Sequence, residues 1–445
     1  MNISTNVLGK SPFNFLRLGI HGERKYFVRP NLFGGIAFNG SLVALTPEAT
    51  GTFLAVKMEE NKPFFIDPLT YAFALSPIHI IRPEDRKVRK SILKMAEFYG
   101  DALKQIVGKR SISPSEFKDE NITKELCAGV LNFQELALRE SLTEDIDYFE
   151  KIGVDISKIA PKPTFLIPPY FYLDITYWQD WIGHNIDFVE NALRLKKDIP
   201  VFCEIVISRE FLHRQNELLI LAEKYAQLKC RGFLIWVGNF PECEATVDEI
   251  VSLRRFIKEL SKTGSPIINL YGGYLSALLS FDGLKGFCHG PGYGEERDIV
   301  PVGGGLPYPK YYFTPLHRRL PSELVEWLVV GRFSRKEEFY LEICDCPECK
   351  QILQNGIMNF AQFGEKAHMI RVDGLPISYA TERAKEINNF HFLYARHKEL
   401  SDVQSTSKES LLHQLTEAEK EYLPELSAQW VSHLRVWYEA LSKTI

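Results

Sequence analysis

The sequence lacks any hydrophobic run near the roughly 20 apolar residues that a membrane-spanning helix needs. Its start, MNISTNVLGKSPFNF, lacks a charged stretch followed by an apolar core, so no secretory signal is expected. A surplus of one charge is also missing: 53 Lys+Arg against 57 Asp+Glu leave a net charge of −4. That balance gives no global attraction to nucleic acid, while a local basic patch stays compatible with it. No Gly-x-Gly-x-x-Gly follows the first strand-like segment, so a dinucleotide fold has no motif behind it. No solenoid period repeats. What remains, 45% hydrophobic and 25% charged over 445 residues, is an ordinary globular chain, long enough for one large α/β barrel with additions. A cytoplasmic protein without a membrane partner is the expectation.

The 8 cysteines are unevenly placed. Cys127, Cys203, Cys230, Cys243 and Cys288 are scattered in apolar contexts and read as small buried hydrophobes. Cys344, Cys346 and Cys349 are packed into Cys-Asp-Cys-Pro-Glu-Cys. Three soft thiolates in one tight turn suit Zn²⁺, with a fourth ligand from His368, His391 or His397. A site closed by four protein ligands is structural.

From the middle onward, short apolar runs alternate with helical patterns. Thr164–Pro168, Pro200–Ile207, Gly232–Val237, Pro266–Tyr271 and Leu284–Cys288 read as strands, separated by helices over Trp181–Lys197, Glu210–Gln227 and Val247–Leu260. Earlier strands are expected near Tyr26–Val28, Ala37–Phe38, Leu42–Leu45 and Phe64–Ile66, with helices at Glu84–Tyr99 and Ile122–Leu138. Near-continuous apolar strands alternating with helices predict a parallel sheet covered by helices, and the count fits a (β/α)₈ TIM barrel. The expected division is a catalytic barrel over 1–335, a zinc-binding subdomain over 336–401 and a helical tail over 402–445, with Asp402–Ser410 as an exposed linker. Glycines at 290, 292 and 294 and the run Gly303–Gly305 follow the late strands, where barrels often bind phosphate.

Cys-x-Cys-x-x-Cys followed by a His, after a (β/α)₈ barrel, resembles the zinc signature of the tRNA-guanine transglycosylases. That family includes the queuine and archaeosine enzymes and the DNA 7-deazaguanine transglycosylases. The resemblance favours His391, which starts the apolar stretch HFLYARHKEL, and implies an insertion around Met369–Ala380. It also implies a catalytic Asp at an early strand end and an aromatic base-stacking residue four positions on. Asp67 and Tyr71 have that spacing, with Leu69 and Thr70 in place of the family's two glycines. A second stacking residue before a glycine pair matches Tyr271-Gly272-Gly273, so the two tyrosines are expected to face each other across a flat base.

Two departures stand out. Where the family has its base-recognition Asp, this chain has Pro168-Pro169-Tyr170-Phe171. Glu204, Ser208, Gly238 and Asn239 are the candidates to contact the base instead. Where the family has a nucleophilic Asp, the chain has Cys288 and His289, with Glu295, Glu296 and Asp298 following. Glu295 and Asp298 rank first and His289 after them, because a carboxylate suits an oxocarbenium-like centre. Arg297, Lys310, His317, Arg318, Arg319, Arg332 and Arg335 are a candidate basic surface for phosphates.

The resemblance implies a zinc-containing pentosyltransferase that exchanges a guanine-type base in DNA or tRNA for a free modified purine through a glycosyl-enzyme intermediate. It further implies a homodimer or heterodimer. A base-excising N-glycosidase and a non-catalytic nucleic-acid-binding subunit are the alternatives.

Overall fold

Where apolar residues run unbroken, the chain forms one all-parallel sheet. In this computed structural model, residues 10–18, 23–57, 62–82, 85–143, 151, 153, 162–292, 294–300, 308–370, 374 and 376–445 are described. Seven strands, β1 (Phe13–Leu18), β2 (Gly35–Asn39), β3 (Phe64–Asp67), β4 (Phe202–Ile207), β5 (Gly232–Val237), β6 (Ile267–Asn269) and β7 (Leu284–His289), lie in the order β3-β2-β1-β7-β6-β5-β4. Sequential strands are neighbours except β3 and β4, which form the two edges, and β1 also pairs with β7, through Phe15 and Cys288. Both edge strands bond the same intervening segment. The Thr164 N–H donates to the Phe64 carbonyl at 2.8 Å, and the Leu166 N–H donates to the Pro200 carbonyl at 2.8 Å. Pro168 and Pro169 have no N–H to extend this ladder. Side chains hold the segment instead. Gln134 bonds both the N–H and the C=O of Ile167, and Asn185 does the same for Phe171.

Alternation along the strands separates two faces. Cys203, Ile205, Phe233, Ile235 and Ile267 point into the layer of helices. The concave face carries Phe15, Phe65, Phe165 and Phe202 as a chain of ring contacts with centroids 5.2, 4.8 and 3.9 Å apart. Gly232 permits this layer, because a Cβ there would lie 2.3 Å from the Phe202 ring. Nearer the C-terminal strand ends, the same face carries Arg17, Asp67, Glu204 and Trp236, with Cys288 level with Phe15, so chemistry sits directly on an aromatic floor.

Several expected boundaries shift. Phe13–Leu18 is a strand that the sequence reading passed over. Tyr26–Val28, expected as a strand, ends the 3₁₀ turn Glu23–Val28. Leu42–Leu45, also expected as a strand, belongs to the helix Gly40–Leu45, which Asn39 starts by accepting the Ser41 N–H at 2.9 Å. The helix expected from Glu84 is observed over Lys90–Tyr99. The expected linker at Asp402–Ser410 is mostly helix. Only Thr406 and Ser407 interrupt Glu382–Ser405 and Lys408–Tyr422, and the Ser407 side chain caps the second. The expected insertion overlaps an antiparallel hairpin of the strands Lys366–Ile370 and Pro376–Ala380. Gly303–Gly305 lies outside the described residues.

The C-terminal helix His433–Ser442 docks beside the sheet's helical layer. The fully buried Trp437 donates from Nε1 to the Glu242 carbonyl at 2.9 Å. His433 is buried, with Nε2 bonded to the Leu316 carbonyl at 2.8 Å. Burial pushes its pKa from 6.5 down to about 3, so it folds neutral. The contribution is therefore intact above the unfolded value and is lost as pH falls from 6.5 towards 3, because the unfolded chain takes up the proton first. Urea midpoints should fall across that window, and His433→Gln should flatten the fall. A midpoint as steep in the variant as in the parent would contradict this role. Among the described residues, no helix is long and apolar enough to cross a membrane.

Candidate functional site

Cys344, Cys346, Cys349 and His391 converge. Pro347 opens the short helix Pro347–Ile352, and the Cys346 sulfur caps it by accepting the Cys349 N–H at 3.4 Å. This turn points three thiols the same way. His391 lies inside the Glu382–Ser405 helix rather than at its start. Its Nδ1 is 3.6, 3.5 and 3.4 Å from the sulfurs of Cys344, Cys346 and Cys349. A tetrahedral ion with bonds of about 2.3 Å to sulfur and about 2.0 Å to nitrogen would have N···S edges of about 3.5 Å. The buried group could therefore hold a metal ion such as zinc.

The surroundings fix the ligands. His391 Nε2 donates to the Tyr312 carbonyl at 2.7 Å, which leaves Nδ1 free as the donor to a metal. Tyr311 stacks on the imidazole at 4.0 Å and places its hydroxyl 3.2 Å from the Cys349 sulfur. The alternatives are spent elsewhere. His368 Nδ1 bonds the Ser378 hydroxyl at 2.8 Å across the hairpin, and His397 is exposed.

A second cluster occupies the C-terminal ends of the parallel strands. Asp67 is fully buried at the end of β3 and accepts three hydrogen bonds. It pairs with Arg17 at 3.0 Å and accepts from the Tyr170 hydroxyl at 2.6 Å and the Leu69 N–H at 3.1 Å. Leu69 has φ 53, a left-handed conformation rare for a leucine, and this turn aims Tyr71 back over the cluster. Tyr71 and Tyr271 each meet the indole of Trp236, with centroids 5.2 and 4.9 Å away. Arg17 lies over Tyr271 at 4.2 Å.

Glu204, on the same face of β4, is buried, and neither of its oxygens has a hydrogen-bond partner. Burial first and Asp67 second push its carboxyl well above the usual carboxylate range, which favours the protonated form. Cys288 shares this face, and burial pushes its thiol up to about 12. His289 points the other way. Its Nε2 is 3.1 Å from the Asn14 amide and its Nδ1 3.0 Å from the Gly290 carbonyl, and burial lowers it to about 3.

The remaining candidates disperse. Glu295 pairs with Arg396 and, at 3.7 Å, with Arg319. It borders a neighbouring cleft of about 330 Å³ lined also by Glu242, Tyr274 and His317. Both carboxylates close on Gly273, where a Cβ would stand 2.8 and 2.9 Å from their oxygens. Desolvation raises Glu242 to about 7. Asp298 is half-buried and Glu296 exposed. The Gly272 N–H donates to the Cys288 carbonyl at 3.1 Å. Ser208 accepts the Ile175 N–H through its hydroxyl at 3.3 Å, a structural role. Gly238 is buried beside Ile299, while Asn239 is exposed and donates its N–H to the Arg297 carbonyl at 3.1 Å.

The expected basic surface is largely consumed internally. His317 pairs with Glu399, Arg332 with Glu342 and Glu425, and Arg335 with Glu338, while Arg318 bonds the Gln429 carbonyl. Sequence reasoning missed Arg17, the contact of Tyr170 with Asp67, and Trp236. A usable signal was present for two of them. Arg17 follows Phe13 and Phe15 at strand period, and Trp236 follows Leu234 in the same way.

No protein-family model matches the chain, and no curated protein shows a significant match to it.

Proposed function

We propose that this chain is a base-exchanging pentosyltransferase of the guanine transglycosylase type, built on a (β/α)₈ barrel whose eighth strand is the segment bonded by both β3 and β4. One observation carries the reading: the ion-paired Asp67 and the buried Glu204, whose carboxyl is pushed well above the usual carboxylate range, lie in one cluster with Tyr71, Trp236 and Tyr271. A carboxylate held by an arginine beside a buried carboxyl group matches the nucleophile and acid of glycosyl chemistry. The aromatic rings suit an unstacked base. Zinc, held by Cys344, Cys346, Cys349 and His391, supplies structure, since four protein ligands leave no open position.

In this scheme a guanine-type base in DNA or tRNA enters beside Tyr71 and Tyr271. An Asp67 oxygen attacks C1′ as the bond from C1′ to the base breaks. The bonding pair leaves with the base, which takes the proton of Glu204. A free 7-deazaguanine-type base then returns a proton to Glu204, and its nitrogen displaces Asp67 from C1′. Arg17 and the Tyr170 hydroxyl hold Asp67 at its working angle throughout.

Glu204 as the acid has a pH signature. Its proton is present below its raised pKa, so base release should decline as pH rises through that value. Glu204→Gln should lower base release by about a hundredfold or more and remove this alkaline limb. Chromatography of the released base across pH tests it, and an unchanged profile in the variant rejects Glu204 as the acid.

A second reading, a base-excising N-glycosidase, is favoured by one observation. Cys288, with its thiol raised to about 12, stands where the family's nucleophilic carboxylate would. Abasic product without uptake of a free base identifies that activity.

A further inference from the structure

Around Tyr271 the cluster holds two guanidiniums against one ion-paired carboxylate. Arg17 is neutralised by Asp67 at 3.0 Å. Glu204 is unpartnered, and its surroundings favour the protonated form. That leaves the guanidinium of Arg297, half-buried, with no carboxylate at ion-pairing distance among the described residues. It donates to the Tyr271 hydroxyl at 2.7 Å and lies 5.8 Å from both the Trp236 and the Tyr271 ring centroids.

Arg297 is held there by its backbone and not by a counter-charge. Its carbonyl accepts from Trp236 Nε1 at 3.2 Å and from the Asn239 N–H at 3.1 Å. Asn239 takes a left-handed φ of 50 to make that bond. Two donors, one on a left-handed residue, thus hold the Arg297 backbone with its guanidinium against Tyr271 and Trp236. The two guanidiniums bracket one tyrosine, Arg17 at 4.2 Å from the centroid and Arg297 at the hydroxyl. Aromatic faces only partly offset a desolvated charge, whereas an oxyanion offsets it fully. The loops after the last two strands of a barrel are also a common place for phosphate recognition.

We infer that Arg297, backed by Arg17, forms an oxyanion subsite, so that the ligand taken beside Tyr271 carries a carboxylate or phosphate next to its base. The inference rests on the nucleobase reading proposed above for the identity of the ligand, but not for the subsite itself. Two sources share the chemistry: a carboxylate on the free base, or the phosphate of the nucleotide being opened. A base with a cationic substituent would be repelled from the same corner.

The test is calorimetric titration of the full-length, zinc-loaded chain. Inorganic phosphate is the probe that does not depend on the base. The parent and Arg297→Lys should bind it, and Arg297→Met should bind it at least about tenfold more weakly, the worth of one charge-assisted hydrogen bond. Unaltered thermal melts show that the variants are folded. Equal binding by the Met variant, or none by the parent, overturns the subsite. Guanosine 5′-monophosphate and 7-carboxy-7-deazaguanine, each compared with neutral guanine, then identify the source. The one that binds about tenfold tighter than guanine in the parent, but not in Arg297→Met, carries the recognised group. No preference for either over guanine also overturns the inference. Phosphate binding that depends on Arg297, with no binding of any base, leaves the subsite standing and refutes the nucleobase reading. Guanine binding together with Arg297-independent phosphate binding does the reverse.

Discussion

Asp67→Asn should lower base exchange by about a thousandfold or more while leaving the metal content unchanged. Three hydrogen bonds hold the side chain, and the oxygen facing Arg17 keeps a lone pair for C1′. One oxygen faces the Arg17 guanidinium, and the other accepts from Tyr170 and Leu69. An amide keeps the shape but loses the negative charge, and it cannot bond C1′ as a carboxylate does. In one orientation its NH₂ faces Arg17, donor against donor. In the other it faces the Tyr170 hydroxyl and the Leu69 N–H. Either way Arg17 becomes a buried cation without a partner, and breaking such a pair costs about 3–5 kcal/mol. The variant should therefore melt earlier as well as react more slowly. The double variant Arg17→Met/Asp67→Asn separates the two effects, since it removes the orphaned charge and should recover stability without recovering activity. Exchange assayed well below the melting temperature, with zinc measured on the same sample, checks this. Near-parental activity in Asp67→Asn would remove Asp67 from the chemistry.

The other large effect belongs to the metal group. Cys349→Ala should drop bound zinc from one equivalent to a small fraction of one, and it should destabilise the C-terminal part by several kcal/mol. Structural zinc in small domains contributes about 10–16 kcal/mol of binding free energy, all of it coupled to folding. Here the ion would join two elements far apart in sequence, the turn at Cys344–Cys349 and the helix carrying His391. Cys349 is fully buried and touches Tyr311 as well as His391, so its removal unseats a stacked aromatic pair along with a ligand. Burial opposes a proton on His391, but the Cys344 and Cys346 sulfurs raise it to about 10 without a metal. Zinc must displace that proton, so zinc affinity should weaken as pH falls. Elemental analysis and thermal melts of parent and variant check the prediction. Full zinc retention in Cys349→Ala would mean that the four residues are not the ligand set.

The parts of the site legible in the sequence were those encoded locally. Three cysteines within six residues announce a metal turn on their own, and a carboxylate ending the apolar run Phe64–Ile66 marks a strand terminus. Parallel strands buried on both faces leave long apolar runs, which is why β4, β5 and β7 were visible. The first strand was hidden because Arg17 interrupts its apolar pattern, although that arginine pairs with Asp67. Leu42–Leu45 misled because a short buried helix and a buried strand have the same composition, and only the Asn39 cap distinguishes them. The nucleophile could not be settled by counting carboxylates near the last strand. Glu295 is drawn off by Arg396, a residue 101 positions away. Glu204 becomes chemically interesting only through what surrounds it: it has no partner, and Asp67 is its neighbour. Such facts belong to packing and have no sequence signature.

The most direct test of base exchange is incorporation of a radiolabelled 7-deazaguanine-type base into tRNA and into duplex DNA by the purified, zinc-loaded chain. The proposed mechanism predicts label in one of the two nucleic acids, with an equal amount of base released and no abasic sites. Base release that leaves abasic sites and no incorporated label would contradict exchange and identify a glycosidase. Neither release nor incorporation with either substrate would contradict the enzyme assignment itself.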